Sequence, residues 1–425
     1  MTINTDKRAY TVVLYGATSF VGQITAHYLA QFLTEQKTDN PSKSVTWAIA
    51  GRDEDKLKKL QNEIASKQHE DADELDIIIA NSNDDASLDA MTQQTQVIIS
   101  TVGPYLKYGE PLIKSCAQNG TDYVDLTGEA IFIKDMLDKY QDTAKQSGAR
   151  IVNSCGFDSI PSDLGVYFTQ QHAQDKFNQA CETIHMRVKA AKGGLSGGTI
   201  ASMATIFEEV GEDKSRRKQV ANPYLLNDDT DAPTLRQKNV GKPEYDDKHK
   251  RWLAPFVMAS INTRIVHRSN QLLSYEYGRE FKYDEAMWMQ DGTKGKLMSY
   301  GLSAGLLGFA SAMMFKPSRE LLSKHVLPKS GSGPSQSEQE NGFFDIRFFG
   351  TTTKQDNIST KVTGDRDPGY GSTSRMLTQS ALCLAQDISQ DEVAGGFWTP
   401  ASAMGDKLIQ RLEDHAGLSF EVVDS

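Results

Sequence analysis

The sequence predicts an α/β protein: a doubly wound parallel sheet, then a second mixed α/β domain, then a C-terminal helical segment packing back on the first. Three observations predict it. Short, almost wholly apolar runs alternate with amphipathic helical patterns through the first 155 residues, the mark of a parallel sheet covered on both faces. The first run breaks into a small-residue turn that opens directly into a helix. The tips of the runs are rich in Gly, Pro, Asn, Asp and Thr, so polar chemistry gathers at the carboxyl edge, where open α/β sheets bind ligands.

In order, Tyr10 to Tyr15 is a β-branched and aromatic strand, Gly16 to Gly22 the turn, and Ile24, Tyr28, Leu29 and Phe32 mark a helix. Thr34 to Ser44 reads as a polar linker broken at Asn40-Pro41. The second strand, Val45 to Ala50, ends in Gly51-Arg52-Asp53, and its helix carries Leu57, Leu60 and Ile64. Leu75 to Ala80 is the third strand, followed by Asn81-Ser82-Asn83-Asp84 and a short helix with Leu88 and Met91. Val97 to Thr101 is the fourth, ending in Val102-Gly103-Pro104-Tyr105. A helix over 109–118 leads to the fifth strand, Tyr123 to Asp125, and a helix over 131–147 to the sixth, Arg150 to Asn153.

The predicted domains are 1–155, 156–370 and 371–425. In the second, Pro161 and Ser162 begin a helix that Asp158 or Ser159 can cap. Thr183 to Ala190 alternates as a strand and runs into a Gly-rich turn over 193–198, suited to an anion, a hinge or close packing. Residues 214–255 read as loops around short helices, 329–341 as an exposed loop, and Phe343 to Thr352 with Asn357 to Thr363 as paired strands. The last segment holds a helix with Met376, Leu377, Ala381, Leu382 and Leu384, then Gly395 to Pro400 and a final helix.

The strand–turn–helix at the start suits a dinucleotide pyrophosphate: a tight turn, close backbone approach, and amides at a helix N-terminus. Gly16, Thr18, Ser19, Phe20, Val21 and Gly22 form that cradle in a G-x-x-S-x-x-G spacing. Arg52 ends the second strand, where an acidic residue would hold a ribose hydroxyl, so it favours NADP with its 2′-phosphate. Asn81 or Asp84 would meet the adenine edge, and Thr101, Val102, Gly103 and Pro104 would bed the nicotinamide. Tyr105 is the candidate proton donor, against a packing role beside Pro104. Asp125 or Thr127 would cap the following helix.

A net charge of −10 argues against nucleic acid, which needs clustered Lys and Arg. Four scattered cysteines without C-x-x-C suggest a reduced compartment, and eight scattered histidines suggest no metal. Cys155 lacks a nearby histidine base and reads as structural. The polar N-terminus points to a cytoplasmic protein. Leu297 to Phe315 contains no charged residue and is bracketed by Lys296 and Lys316. Three readings stay open for it, in this order: contact with a membrane surface or lipid, on the inner face of the plasma membrane; a buried homodimer interface; a span.

These pieces together resemble the saccharopine dehydrogenase-like oxidoreductases, in the branch of the trans-acting enoyl reductases. The residues that carry the resemblance are Gly16 to Gly22, Ala50-Gly51-Arg52, Thr101 to Tyr105, Asp125 to Glu129, Cys155 to Asp163, and Phe397-Trp398-Thr399-Pro400. The resemblance implies an NADP-binding Rossmann domain, a mixed second domain and a lipid-linked substrate. The expected activity is therefore NADPH-dependent reduction of an activated C=C or carbonyl group. The alternatives are a membrane-associated dinucleotide-binding scaffold without turnover, and a saccharopine-type amino-acid dehydrogenase.

Overall fold

The computed structural model describes residues 8–39, 45–68, 71–193, 202, 204–205, 208–209, 211, 213–228, 230–325 and 333–423. Apart from Gly193, the Gly-rich turn predicted over 193–198 lies outside the described residues. The chain forms two compact units. The first contains the residues up to Phe157 together with Gly369–Ala416, and the second begins at Asp158 and takes Pro334–Pro368 and the segment from Gly417.

In the first unit β1 (Tyr10–Tyr15), α1 (Phe20–Asp39), β2 (Trp47–Gly51), α2 (Glu54–Gln68), β3 (Asp76–Ile79), α3 (Asp85–Gln93) and β4 (Thr95–Ser100) follow one another. They continue through α4 (Tyr105–Tyr108), α5 (Glu110–Asn119), β5 (Asp122–Asp125), α6 (Ala130–Ser147) and β6 (Arg150–Val152). All strand pairs are parallel, in the order β13-β6-β5-β4-β1-β2-β3, where β13 is Gly396–Trp398. The order reverses at β1 and β4, the switch point at which such sheets bind ligands. The expected linker from Thr34 is instead helix as far as Asp39.

The returning segment supplies β13, α13 (Thr373–Gln386) and α14 (Pro400–His415). A buried Arg150 explains how it is held. Its guanidinium pairs with Asp122 and donates to the carbonyls of Leu384 (2.9 Å) and Ile388 (2.7 Å), satisfying acceptors at the end of α13 that would otherwise be orphaned. On the other side, Tyr28 of α1 donates to the His415 carbonyl at 2.7 Å and accepts from Gln379 at 2.9 Å.

The second unit is a mixed sheet in the order β14-β12-β11-β7-β10-β9-β8. Its strands are β7 (Cys181–Lys192), β8 (Glu244–Asp246), β9 (Arg251–Ala254), β10 (Lys282–Trp288), β11 (Phe343–Thr352), β12 (Asn357–Gly364) and β14 (Leu418–Val423). Only β7 and β10 pair in parallel. In β11 every second residue is buried, Phe344, Ile346 and Phe348 among them, so one sheet face forms the core. Helix α7 (Ile160–Phe177) packs on that face, and Gly165 lets Phe348 approach: a Cβ there would lie 2.2 Å from its ring. The tail thus divides: residues 371–416 return to the first unit, but Leu418–Val423 alternates and pairs with β12.

The remaining helices are α8 (Lys214–Ala221), α9 (Ala259–Leu272), α10 (Gly292–Met314), α11 (Lys316–His325) and α12 (Gln336–Glu340). The last, within the stretch read as an exposed loop, is closed by a reciprocal Ser335–Glu338 capping box. Helix α9 buries polar groups as well as apolar ones. Asn262 donates to Glu285 of β10 at 3.0 Å, whose other oxygen accepts from Tyr283 at 2.8 Å. Burial pushes the Glu285 carboxyl up to about 7. The folded chain therefore holds that proton more tightly than the unfolded one, and the contribution to stability is lost as pH rises through 7. Glu285→Gln removes this dependence. Denaturant melts of wild type relative to the variant should lose about 2 kcal/mol between pH 5 and pH 8; a difference independent of pH would show that the carboxyl is ionised throughout.

Candidate active site

The turn after β1 is closed too tightly for side chains. Gly16 has φ +86°, and a Cβ on it would lie 2.6 Å from Val102 Cγ2 and 2.8 Å from Thr101 Oγ1. A Cβ on Gly22 would lie 2.2 Å from the Gly16 carbonyl oxygen. Both positions therefore need glycine.

Ser19, in the middle of the spacing, turns its hydroxyl inward. It accepts from the Gly22 amide at 2.9 Å and meets the Thr101 hydroxyl at 3.0 Å. Thr101 in turn donates to the Gly16 carbonyl at 2.9 Å, so its single proton is used there and Ser19 donates to it. The Gly16 amide is bound to Ala50 and the Ser19 amide to Gly16. Gly16, Ser19 and Gly22 thus build the turn rather than present their amides. The amides of Thr18, Phe20 and Val21 have no bonded partner among the described residues, and they are the donors left for a pyrophosphate at the start of α1.

Arg52 is exposed at the tip of β2, with no side-chain partner among the described residues. The neighbouring acid does not compete for the same ligand. Asp53 accepts from the Lys56 amide at 3.1 Å and pairs with its ammonium at 3.0 Å, so it caps α2. The Tyr15 phenol, which sequence reading missed, meets Ser82 and lies within reach of the Arg52 charge. At the β3 tip, Asn81 accepts from the Asn83 amide at 3.1 Å, leaving its own amide hydrogens for a ligand. Asp84 is the N-cap of α3.

The β4 tip is fixed from behind by Glu129, a residue absent from the sequence-derived site. Its fully buried carboxylate accepts from the amides of Tyr105 (3.1 Å) and Leu106 (2.8 Å), which open α4. Gly103 remains exposed and Val102 and Pro104 half-buried. Tyr105 is 3% exposed, and its hydroxyl donates to the Ser100 carbonyl at 3.0 Å. It also lies 3.5 Å from the Leu126 amide, and burial pushes its pKa well above 10. A phenol so committed anchors the loop and is poorly placed to release a proton.

Asp125 does not cap α6 as expected. It is fully buried and ties the β5 tip to the β6 tip. One oxygen accepts from the amides of Thr127 (3.0 Å) and Ser154 (2.9 Å), the other from Asn153 (2.7 Å) and the Tyr123 hydroxyl (3.0 Å). Thr127 accepts from the Glu129 amide at 3.2 Å. Burial lifts the Asp125 carboxyl to about 6 against these bonds. Cys155 is buried, its amide bound to the Asp125 carbonyl at 2.7 Å.

The loop beyond β6 carries two polar groups without partners. The Phe157 amide is fastened to Thr373 at 3.0 Å. Next to it the Asp158 carboxyl has no hydrogen-bond partner among the described residues, and burial pushes it up to about 7. Ser159 Oγ is wholly buried and unbonded. Neither side chain caps α7, contrary to the sequence expectation. Among the described residues no group of three or more His, Cys, Asp or Glu side chains is placed to hold a metal ion.

Residues 12–152 match the family described as the saccharopine dehydrogenase NADP binding domain. A Mycobacterium tuberculosis protein provisionally named a trans-acting enoyl reductase is 38% identical over 427 residues, covering 97% of each chain. The trans-acting enoyl reductase of Mycobacterium leprae is 34% identical over 421 residues, covering 96% of each. Among solved structures, apo saccharopine dehydrogenase (L-Glu forming) from Saccharomyces cerevisiae matches 98% of this chain and 100% of its own, with a TM-score of 0.51 at 14% identity. That likeness is one of fold.

Proposed function

The chain belongs to the trans-acting enoyl reductases of the saccharopine dehydrogenase-like family and is an NADP-dependent oxidoreductase, and from that premise we propose that it reduces the activated C=C bond of a hydrophobic, lipid-linked substrate. The observation that carries this reading is the likeness to named enoyl reductases over nearly the whole chain, second unit included.

The residues fit the cofactor. Open amides at Thr18, Phe20 and Val21 suit a pyrophosphate, Arg52 a 2′-phosphate, and the free amide of Asn81 an adenine edge. Bound there, NADPH supplies a hydride. The loop from Thr101 to Pro104, held by Glu129 and Tyr105, would bed the nicotinamide, and alignment is most of what hydride transfer requires. The other carbon of the reduced bond needs a proton. We assign it to solvent water, to which the exposed Gly103 at the edge of this loop leaves access.

The test is loss of nicotinamide absorbance when the purified protein meets NADPH and enoyl thioesters of increasing chain length. Turnover should improve with length. Oxidation only with a 2-oxoacid plus lysine or glutamate would replace this reading with the amino-acid dehydrogenase. Cofactor binding without any turnover would replace it with the scaffold.

A further inference from the structure

Helix α10 is built like a core helix but faces outward. It spans 23 residues, Gly292–Met314, a length of about 35 Å. One side is fastened to its own unit. Ser299 donates to the Leu253 carbonyl of β9, Met313 is buried, and Gly295 sits so close under the Gln290 carbonyl that a Cβ would lie 1.6 Å from its oxygen. The opposite side carries Leu297, Tyr300, Leu307, Met314 and Phe315, with Leu297 74%, Leu307 70% and Phe315 66% exposed. The steps of three, seven and seven residues from Leu297 through Tyr300 and Leu307 to Met314 make one continuous stripe. Gly301, Gly305 and Gly308 add no cover, since a Cβ on any of them would meet nothing within 4 Å. Only 11% of the most apolar 18-residue stretch is buried. An apolar face of this extent on a water-soluble protein marks a docking surface.

Charge decides what docks. Between Lys294 and Lys316 there is no acidic residue; the bases are Lys294 and Lys296 at one end and Lys316 at the other, while Arg319 is paired with Glu208 at 3.2 Å. A second copy pairing along this helix would set cations against cations, whether parallel or antiparallel. A surface of anionic phospholipid headgroups attracts Lys294 and Lys296 while the apolar stripe enters it. Lys296 also lies 5.5 Å above the Trp252 ring, which neighbours Tyr300, so aromatic rings sit beside basic groups as at a bilayer interface. Because Gly295, Ser299 and Met313 are held by the unit itself, the helix can offer its apolar stripe without leaving the protein. We propose that the exposed face of α10 lies in the plane of an anionic phospholipid surface and docks the protein there without spanning it. The proposal is independent of the reaction catalysed.

Flotation of the full-length protein with vesicles tests it. With phosphatidylcholine vesicles containing phosphatidylglycerol, most of the protein should float, and with phosphatidylcholine alone much less. Leu297→Glu with Leu307→Glu should abolish flotation while leaving the thermal unfolding midpoint unchanged, because both side chains are exposed. Lys294→Ala with Lys296→Ala should remove the preference for the anionic vesicles. Failure of the wild type to float, or flotation unaffected by the two glutamates, overturns the proposal. A dimer in sedimentation equilibrium that the glutamate substitutions dissociate, with no flotation, would assign the stripe to a second copy instead.

Discussion

Arg52→Ala should weaken NADPH binding by about 100-fold and leave NADH within about twofold, the difference being a bidentate charge-assisted contact to the 2′-phosphate worth about 2.7 kcal/mol. The selectivity of the effect is what matters. Arg52 has no side-chain partner among the described residues and lies exposed at the β2 tip, so its removal leaves the fold intact. Unfolding midpoints should agree, and any loss then belongs to the ligand. Arg52→Lys keeps the charge without the planar fork and should fall between the two, about tenfold weaker than wild type. Equal affinities for NADPH and NADH in the wild type would show that the tip of β2 does not read the phosphate. Loss of both cofactors together in the variant would point to Arg52 holding the ribose or the turn instead.

Asp125→Ala should destabilise the first unit by about 4 kcal/mol, because it strips the acceptor from four donors that have no route to water. Two of these are the amides of Thr127 and Ser154; the others are the Asn153 amide and the Tyr123 hydroxyl. Guanidinium melts would measure it. Asp125→Asn fills the same volume but must aim an NH2 at two donors, and should cost about half as much. Since burial raises the Asp125 carboxyl to about 6, its contribution is greatest below about pH 4 and declines as pH rises through 6. The gap between wild type and Asp125→Asn should therefore be narrower at pH 8 than at pH 5. An alanine variant as stable as wild type would mean that the two strand tips are held by something other than this carboxylate.

The strands and the phosphate turn were legible because their chemistry is local. Apolar runs of parallel strands and a glycine-bounded turn are visible within a dozen residues. What the turn's residues do was less legible: which amides remain open depends on Ser19, Thr101 and Ala50 meeting across three strands. The role of Glu129, named only as part of the Asp125 to Glu129 tip, was illegible for a similar reason, since it binds amides 24 and 23 residues earlier in the chain. Asp125 and Thr127 looked like helix caps because side chains that cap and side chains that clamp are the same types. Helix α9 was missed because Asn262, Arg264, His267 and Asn270 are buried alongside Ile261 and Ile265, which erases the contrast between faces. The linker expected from Thr34 is helical to Asp39, with Thr34 and Gln36 half-buried between the exposed Glu35 and Lys37.

The path of the chain sets when each unit can be finished. The first sheet lacks its outer strand β13 until Trp398 has been made, and the second lacks β14 until Val423. Arg150, which holds the returning helix, is translated more than two hundred residues before Leu384 and Ile388, its carbonyl partners. During synthesis that guanidinium and the uncovered edge of β6 wait for the end of the message. Neither unit can be isolated by cutting the chain once, and a ribosome that stops before Gly396 releases two incomplete sheets with open edges, a form suited to chaperone capture or aggregation.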